Sequence, residues 1–350
     1  MSIQNILMIT AAFICAMAVA FGATPIVKKF ARAVGAIDVP KDDRRMHKKP
    51  IPRLGGLAIF FGFLFSFLIF GTIDSQMKTV LLGAVIIVIL GIIDDIVPLD
   101  AKFKFIVQII AAIIPVVGGL KIERMTNFIP FTNNPYIDFG IFSIPITILV
   151  IVGITNAVNL IDGLDGLAVG VSTISSFTML TIAFITLQPE IAILLAALAG
   201  ACVGFMPYNF NPAKIFMGDT GSTFLGYILA TVSIMGLFKY YAIVSFAVPF
   251  LILGLPIFDT AFAMVRRIMH GQSPMQADRG HVHHKLIDMG FTQKQTVAIL
   301  YSISGVLGLS AVVLTSSGEL KALLLIITVI ICAVIGMHLM RMQVNDDDDE

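Results

Sequence analysis

The sequence predicts an all-α polytopic integral membrane protein with about eleven transmembrane helices, amino terminus outside and carboxyl terminus inside. Three observations carry this. First, 57% of the 350 residues are hydrophobic and only 13% are charged, where a soluble chain carries about 25% charged residues; the mean hydropathy is +0.96. Second, apolar runs near bilayer length recur from end to end, as spanning helices require, and the alternation of a membrane β-barrel is absent. Third, Lys and Arg divide unevenly between alternate loops.

The first apolar run covers residues 3–27. No Lys or Arg precedes it, and it is longer than the apolar part of a signal peptide, so it reads as a retained span. Further spans fall at 54–73, 79–97, 104–120, 139–158, 167–187, 190–208, 221–238, 242–265, 296–316 and 320–340. With the loop from Lys28 to Arg53 placed in the cytoplasm, 18 of the 23 Lys and Arg lie on that side. Only Lys78, Lys121, Arg124, Lys239 and Lys321 lie opposite. One membrane domain therefore occupies residues 1–345, and the acidic tail 346–350 is cytoplasmic. Cys15, Cys202 and Cys332 all lie inside apolar runs and form no disulfide or metal pattern. A net charge of +1 marks no nucleic-acid partner.

The polar motifs all fall on the cytoplasmic side. The central one is Asn156-Ala-Val-Asn-Leu-Ile-Asp-Gly-Leu-Asp165-Gly166, at the end of an apolar run. Asn156, Asn159, Asp162 and Asp165 recur every three positions, which on a helix keeps them within one broad side. A helix end with glycine turns would use the same residue types. Two carboxylates and two amides at a membrane edge also suit a hard cation and a phosphate-bearing ligand.

Four other motifs accompany it. The loop Met46-His-Lys48-Lys49-Pro-Ile-Pro-Arg53-Leu-Gly55-Gly56 reads as a phosphate grip, with prolines for stiffness and glycines for close backbone approach; an anchor for anionic lipid heads is the simpler reading. Asp94-Asp95 ends the third span, where adjacent carboxylates need a cation or a proton. Asn209 and Phe216 lead into Gly218-Asp219-Thr-Gly-Ser222, whose helix start is a natural anion site; Asp219 could equally cap that helix. Arg279, His281, His283 and His284 crowd a further loop and suit phosphate or sugar hydroxyls better than zinc. Together the acids and bases describe Mg²⁺ with a pyrophosphate.

At this point the chain resembles the polyprenyl-phosphate N-acetylhexosamine-1-phosphate transferases. The resemblance runs through His-Lys-Lys-Pro-Ile-Pro-Arg-Leu-Gly-Gly (47–56), Asp94-Asp95, Asn-Leu-Ile-Asp-Gly-Leu-Asp-Gly-Leu (159–167), Phe-Met-Gly-Asp-Thr-Gly-Ser (216–222) and His-Val-His-His (281–284). It implies that undecaprenyl phosphate attacks the sugar-bearing phosphorus of a UDP-sugar, with Mg²⁺ or Mn²⁺, and releases UMP. It implies Asp219 as principal metal ligand. Asp94 and Asp95 would stand beside the metal and the lipid phosphate, with Asp94 as base. Lys49, Asn159, Asp162, Asp165, Asn209 and Phe216 would line the nucleotide pocket, and His281, His283 and His284 would contact the diphosphate or sugar. Pro50, Arg53 and the His-x-His-His pattern resemble the branch using UDP-N-acetylglucosamine more than the peptidoglycan branch. A homodimer remains open. Direct displacement and a route through an aspartyl phosphate both fit. A secondary transporter is the reading from another class, but no internal repeat is found and the acids lie at the inner edge rather than mid-bilayer.

Overall fold

The computed structural model describes residues 1–40, 49–126, 136–240, 247–271 and 280–317. Helices dominate: α1 (Ile3–Ala33), α2 (Gly56–Phe70), α3 (Ser75–Ile96), α4 (Ala101–Val117), α5 (Ser143–Leu160), α6 (Leu167–Ile185), α7 (Pro189–Asn209), α8 (Gly218–Tyr240), α9 (Ala247–Ile252), α10 (Gly254–Met269), α11 (Val282–Asp288) and α12 (Gln293–Ser317). Two small antiparallel ribbons join them, β1 (Ile37–Asp38) with β2 (Ile51–Pro52), and β3 (Arg124–Thr126) with β4 (Tyr136–Asp138). Among the described residues, six helices are long and apolar enough to cross a membrane: α1, α3, α5 with its 3₁₀ lead-in, α6, α7 and α12.

Short polar side chains start several helices. Ser2 accepts from the Asn5 amide, Asp74 from that of Met77 and Asp100 from that of Lys102, each satisfying an amide that the helix leaves open. Asp100 therefore caps α4.

Two expectations change. Within the expected span 242–265, the described residues 247–265 are not one continuous helix. α9 ends at Ile252 and α10 restarts at Gly254. Pro256 lies in the first turn of α10, where a missing N–H is tolerated, and Gly254 marks the restart. The three-residue repeat is also not carried by one helix. α5 ends at Leu160, so Asn156 and Asn159 are helical, while Asp162 and Asp165 lie in the turn before α6. The expected span 320–340 lies outside the described residues.

α8 is the centre of the bundle. Every residue from Thr220 to Ile234 is buried, as expected of a helix packed on all sides. It lies against α3 and α5, while α1 packs on α7 and α2. The Tyr227 hydroxyl donates towards the carbonyls of Val80 (3.2 Å) and Ala111 (3.4 Å), tying α8 to α3 and α4. Gly91 of α3 meets the backbone of Asp219 and Thr220, and Gly226 meets that of Thr155. Small residues at such crossings let helices approach closely, and here they bring the ends of α3, α5 and α8 together.

Candidate active site

The site is built around the start of α8. Gly218 has φ +72°, a left-handed conformation that a side chain would strain, and it turns the chain into the helix. The turn directs two backbone amides at Asp95 on α3. Asp219 N–H donates to Asp95 Oδ1 and Thr220 N–H to Oδ2, both at 3.0 Å. The Thr220 hydroxyl donates to Oδ2 at 2.7 Å, and Arg53 Nε to Oδ1 at 2.9 Å. The carboxylate has no exposed surface. The helix start expected to hold a substrate anion thus already holds one from the protein itself, which is a favourable place for negative charge.

The basic loop packs on the same turn. Phe216 N–H donates to Pro52 O (2.8 Å), and the amides of Gly55 and Gly56 donate to Phe216 O (2.9 Å) and Met217 O (2.8 Å). A Cβ on Gly56 would collide with the Gly221 backbone. The glycine pair therefore serves contact between loop and helix, where close approach to a ligand was expected. Through this contact Arg53 reaches Asp95, with Nη2 3.7 Å from Asp219 Oδ1. Burial works against the Arg53 charge, but the carboxylates of Asp95 and Asp219 outweigh it and hold the guanidinium above its ordinary value.

Asp94 points to other partners. It accepts from the Leu99 amide at 2.7 Å and from Lys104 Nζ at 2.9 Å. Lys104 also donates to Asp219 Oδ2 at 3.0 Å, so Lys104 and Arg53 flank Asp219. Asn159 donates to Asp219 Oδ1 (3.3 Å) and to the Ser222 hydroxyl (2.8 Å). Lys104 was not singled out from sequence; its partners lie 10 and 115 residues away, and only its position at the start of an apolar run hinted at a role.

Asp162, Asp219, Asn159, Arg53 and Phe216 line a cavity of about 760 Å³, with Lys49 and Lys214 also in its wall. That volume suits a nucleotide-sized ligand. Burial first, then the negative charges of Asp219 and Asp95, push the Asp162 carboxyl up to about 8. Asp165 and Asn209 share the wall, but both also bind local structure. Asp165 Oδ2 accepts from Asn211 Nδ2 (3.0 Å) and the Ala213 amide (2.9 Å). Asn209 accepts from the Gly166 amide (3.1 Å) and donates to Ile215 O (3.0 Å). Asn156 is not in the wall. It donates to Gln108 Oε1 at 2.6 Å and to Val152 O at 2.8 Å, joining α5 to α4. Asp94 and Asp95 stand behind Asp219. Lys48 and Arg279 lie outside the described residues.

The histidines flank the cavity. His281 precedes α11, and its Nδ1 lies 2.8 Å from Asp259 Oδ2 on α10. The His283 ring stacks on that of His281, with centroids 5.7 Å apart and planes 9° apart, and lies 4.3 Å from the ring of His284. His283 Nε2 faces Gly163, where any Cβ would meet it. The histidines therefore stand against the turn that carries Asp162, and among the described residues they do not line the cavity wall. Burial, and then the charge of His284, hold the His283 imidazole down at about 4, so it is neutral at pH 7.

Among the described residues no three His, Cys, Asp or Glu side chains are grouped to hold a metal unaided. Mg²⁺ needs less, because it commonly takes one or two carboxylates and completes its shell with water and substrate phosphates. Asp219 and Asp162 are two hard oxygen donors in one wall, and the Asn159 amide lines the same cavity beside them. These residues fit the ion.

Glycosyl transferase family 4 matches residues 77–237. The chain is similar to the probable undecaprenyl-phosphate N-acetylglucosaminyl 1-phosphate transferase of Bacillus subtilis, with 42% identity over 94% of this chain and 91% of that one. It is 33% identical to the decaprenyl-phosphate N-acetylglucosaminephosphotransferase of Mycolicibacterium smegmatis, over 84% of this chain and 79% of the other. The phospho-N-acetylmuramoyl-pentapeptide-transferase of Chlorobium chlorochromatii is 36% identical, but over 57% of this chain and 61% of its own.

Proposed function

Because this chain belongs to glycosyl transferase family 4, we propose that it transfers N-acetylglucosamine 1-phosphate from UDP-N-acetylglucosamine to undecaprenyl phosphate. The products are undecaprenyl-diphospho-N-acetylglucosamine and UMP. The observation that carries this reading is the cavity itself, where Asp162 and Asp219 share a wall with Arg53, Lys49 and Lys214. Carboxylates for a hard cation and bases for phosphate oxygens are what a nucleoside diphosphate donor requires. The extensive similarity to the Bacillus subtilis protein supports the donor and the lipid.

Asp219 and Asp162 would hold Mg²⁺, which when bound neutralises charge on the diphosphate. Asn159 and Lys104 hold the Asp219 carboxylate in place. Arg53, Lys49 and Lys214 bind phosphate oxygens and orient the donor. Phe216 closes the wall with an apolar face. The attacking lipid phosphate is already anionic at neutral pH, so positioning and charge neutralisation are the larger contributions. The distribution of Lys and Arg supports a site on the cytoplasmic face, and the similarity to the Bacillus subtilis and Mycolicibacterium smegmatis proteins supports a bacterial cell membrane. The product would begin teichoic acid or another surface polysaccharide.

The test uses purified protein in detergent with undecaprenyl phosphate and Mg²⁺, given UDP-N-acetylglucosamine or UDP-muramoyl-pentapeptide in parallel. UMP release with the first donor alone is expected. Release with the second alone would make this a peptidoglycan enzyme, and none with either would overturn the reading.

Asp162 adds a pH dependence. Its folded pKa is above the unfolded value, so proton uptake stabilises the metal-free fold. That contribution is full below the unfolded value and is lost as pH rises through about 8. A cation competes with this proton, so Mn²⁺ affinity measured by electron paramagnetic resonance should weaken by up to about tenfold per pH unit below about 8. A flat affinity from pH 6 to 8.5 would show that Asp162 takes no part.

A further inference from the structure

Asp259 is a carboxylate in an apolar helix, and it is only 5% exposed. Such a residue is costly in a membrane protein and asks for a purpose. Both of its oxygens are engaged by one short segment. Oδ1 accepts from the Val282 amide and Oδ2 meets His281 Nδ1, each at 2.8 Å. The same helix holds the segment a second time, since Arg266 Nη1 donates to Gly280 O at 2.8 Å. The start of the histidine segment is thus tied to α10 at three consecutive residues.

What this anchoring positions can be followed outward. A carboxylate on Nδ1 sets the tautomer and the plane of the His281 ring. The His283 ring lies parallel to it, at a 9° interplanar angle. His283 Nε2 in turn abuts Gly163, which has no Cβ to keep it away. Gly163 follows Asp162 in the turn between α5 and α6, and both line the cavity.

We infer that Asp259 is a positioning residue for the transfer reaction: it fixes the His281–His283 stack, and the stack braces the turn that presents Asp162 to the donor diphosphate. The inference rests on the transferase reading above. Among the described residues Asp259 touches neither the cavity nor Asp162 or Asp219, so its effect must pass through the histidines. A carboxylate holds His281 as the Nδ1–H tautomer while accepting from the Val282 amide, whereas an asparagine that accepts from Val282 offers N–H to Nδ1 and so holds the opposite tautomer.

A double-mutant cycle tests it, with Asp259→Asn, His283→Ala and the double variant purified alongside the wild type. UMP release from UDP-N-acetylglucosamine is followed, and UMP binding counts the competent sites. Each single change should lower kcat per competent site about 30-fold. The double variant should fall no further than the worse single, because both cut one chain of contacts. Mn²⁺ affinity should weaken in step, a response that a merely unstable fold, corrected for competent sites, would not give. Should Asp259→Asn not survive purification, Asp259→Glu, which keeps the carboxylate but shifts it, is read in the same cycle. Single effects that multiply in the double variant, or an unchanged kcat per site, would overturn the inference. An inactive wild type would instead overturn the transferase reading.

Discussion

Asp219→Asn is expected to lower kcat for UMP release by about 10³-fold or more and to remove the tightest Mn²⁺ site. Asp219 combines three properties found together in none of the other acids described. It faces the cavity, it starts the central helix, and it is flanked by two cations, Lys104 at 3.0 Å and Arg53 at 3.7 Å. The amide keeps the volume and can still accept a hydrogen bond from Asn159 or Lys104, so the fold should survive. What is lost is one negative charge and one hard oxygen where a cation and a diphosphate must meet. The melting temperature of the metal-free protein should therefore change little while turnover collapses. A variant that binds Mn²⁺ and turns over like the wild type would show that Asp219 is not a ligand.

The sequence made the polar patches legible because each is a short local pattern standing out of an apolar chain. Asp219, Asp162, Asn159, Arg53 and Phe216 were all marked in advance, and all meet at one cavity. What could not be read was how the patches divide their work. Asp94 and Asp95 look alike as a dipeptide. On a helix, though, neighbours point about 100° apart, so Asp94 turns to Lys104 and Asp95 to the start of α8. The three-residue repeat misled for a related reason. It assumed a helix through Asp165, whereas α5 stops at Leu160 and leaves Asn156 pointing at Gln108. Lys104 and Asp259 were missed because their meaning lies in partners far along the chain. Asp259 did carry a usable signal, an acid within the apolar run that was expected to be one span.

Asp95→Ala separates brace from ligand. It is expected to lower the stability of the metal-free protein by about 3 kcal/mol, seen as a clear drop in melting temperature in detergent. The carboxylate is fully buried and satisfies the amides of Asp219 and Thr220, the Thr220 hydroxyl and Arg53 Nε. Alanine leaves all four donors without it, and a donor stranded in the interior costs the full loss of its solvation. Arg53 is 28% exposed and can recover some water, which keeps the estimate at the low end. Asparagine should rescue only in part, since its amide nitrogen must face a donor on one side. Activity will fall as well, because Asp219 is placed by the turn that Asp95 holds. The order of effects is what distinguishes the two acids. Asp219→Asn should lose the metal and keep the fold, whereas Asp95→Ala should lose the fold first. If Asp95→Ala melts like the wild type but no longer binds Mn²⁺, Asp95 is a metal ligand and the start of α8 is held by other means.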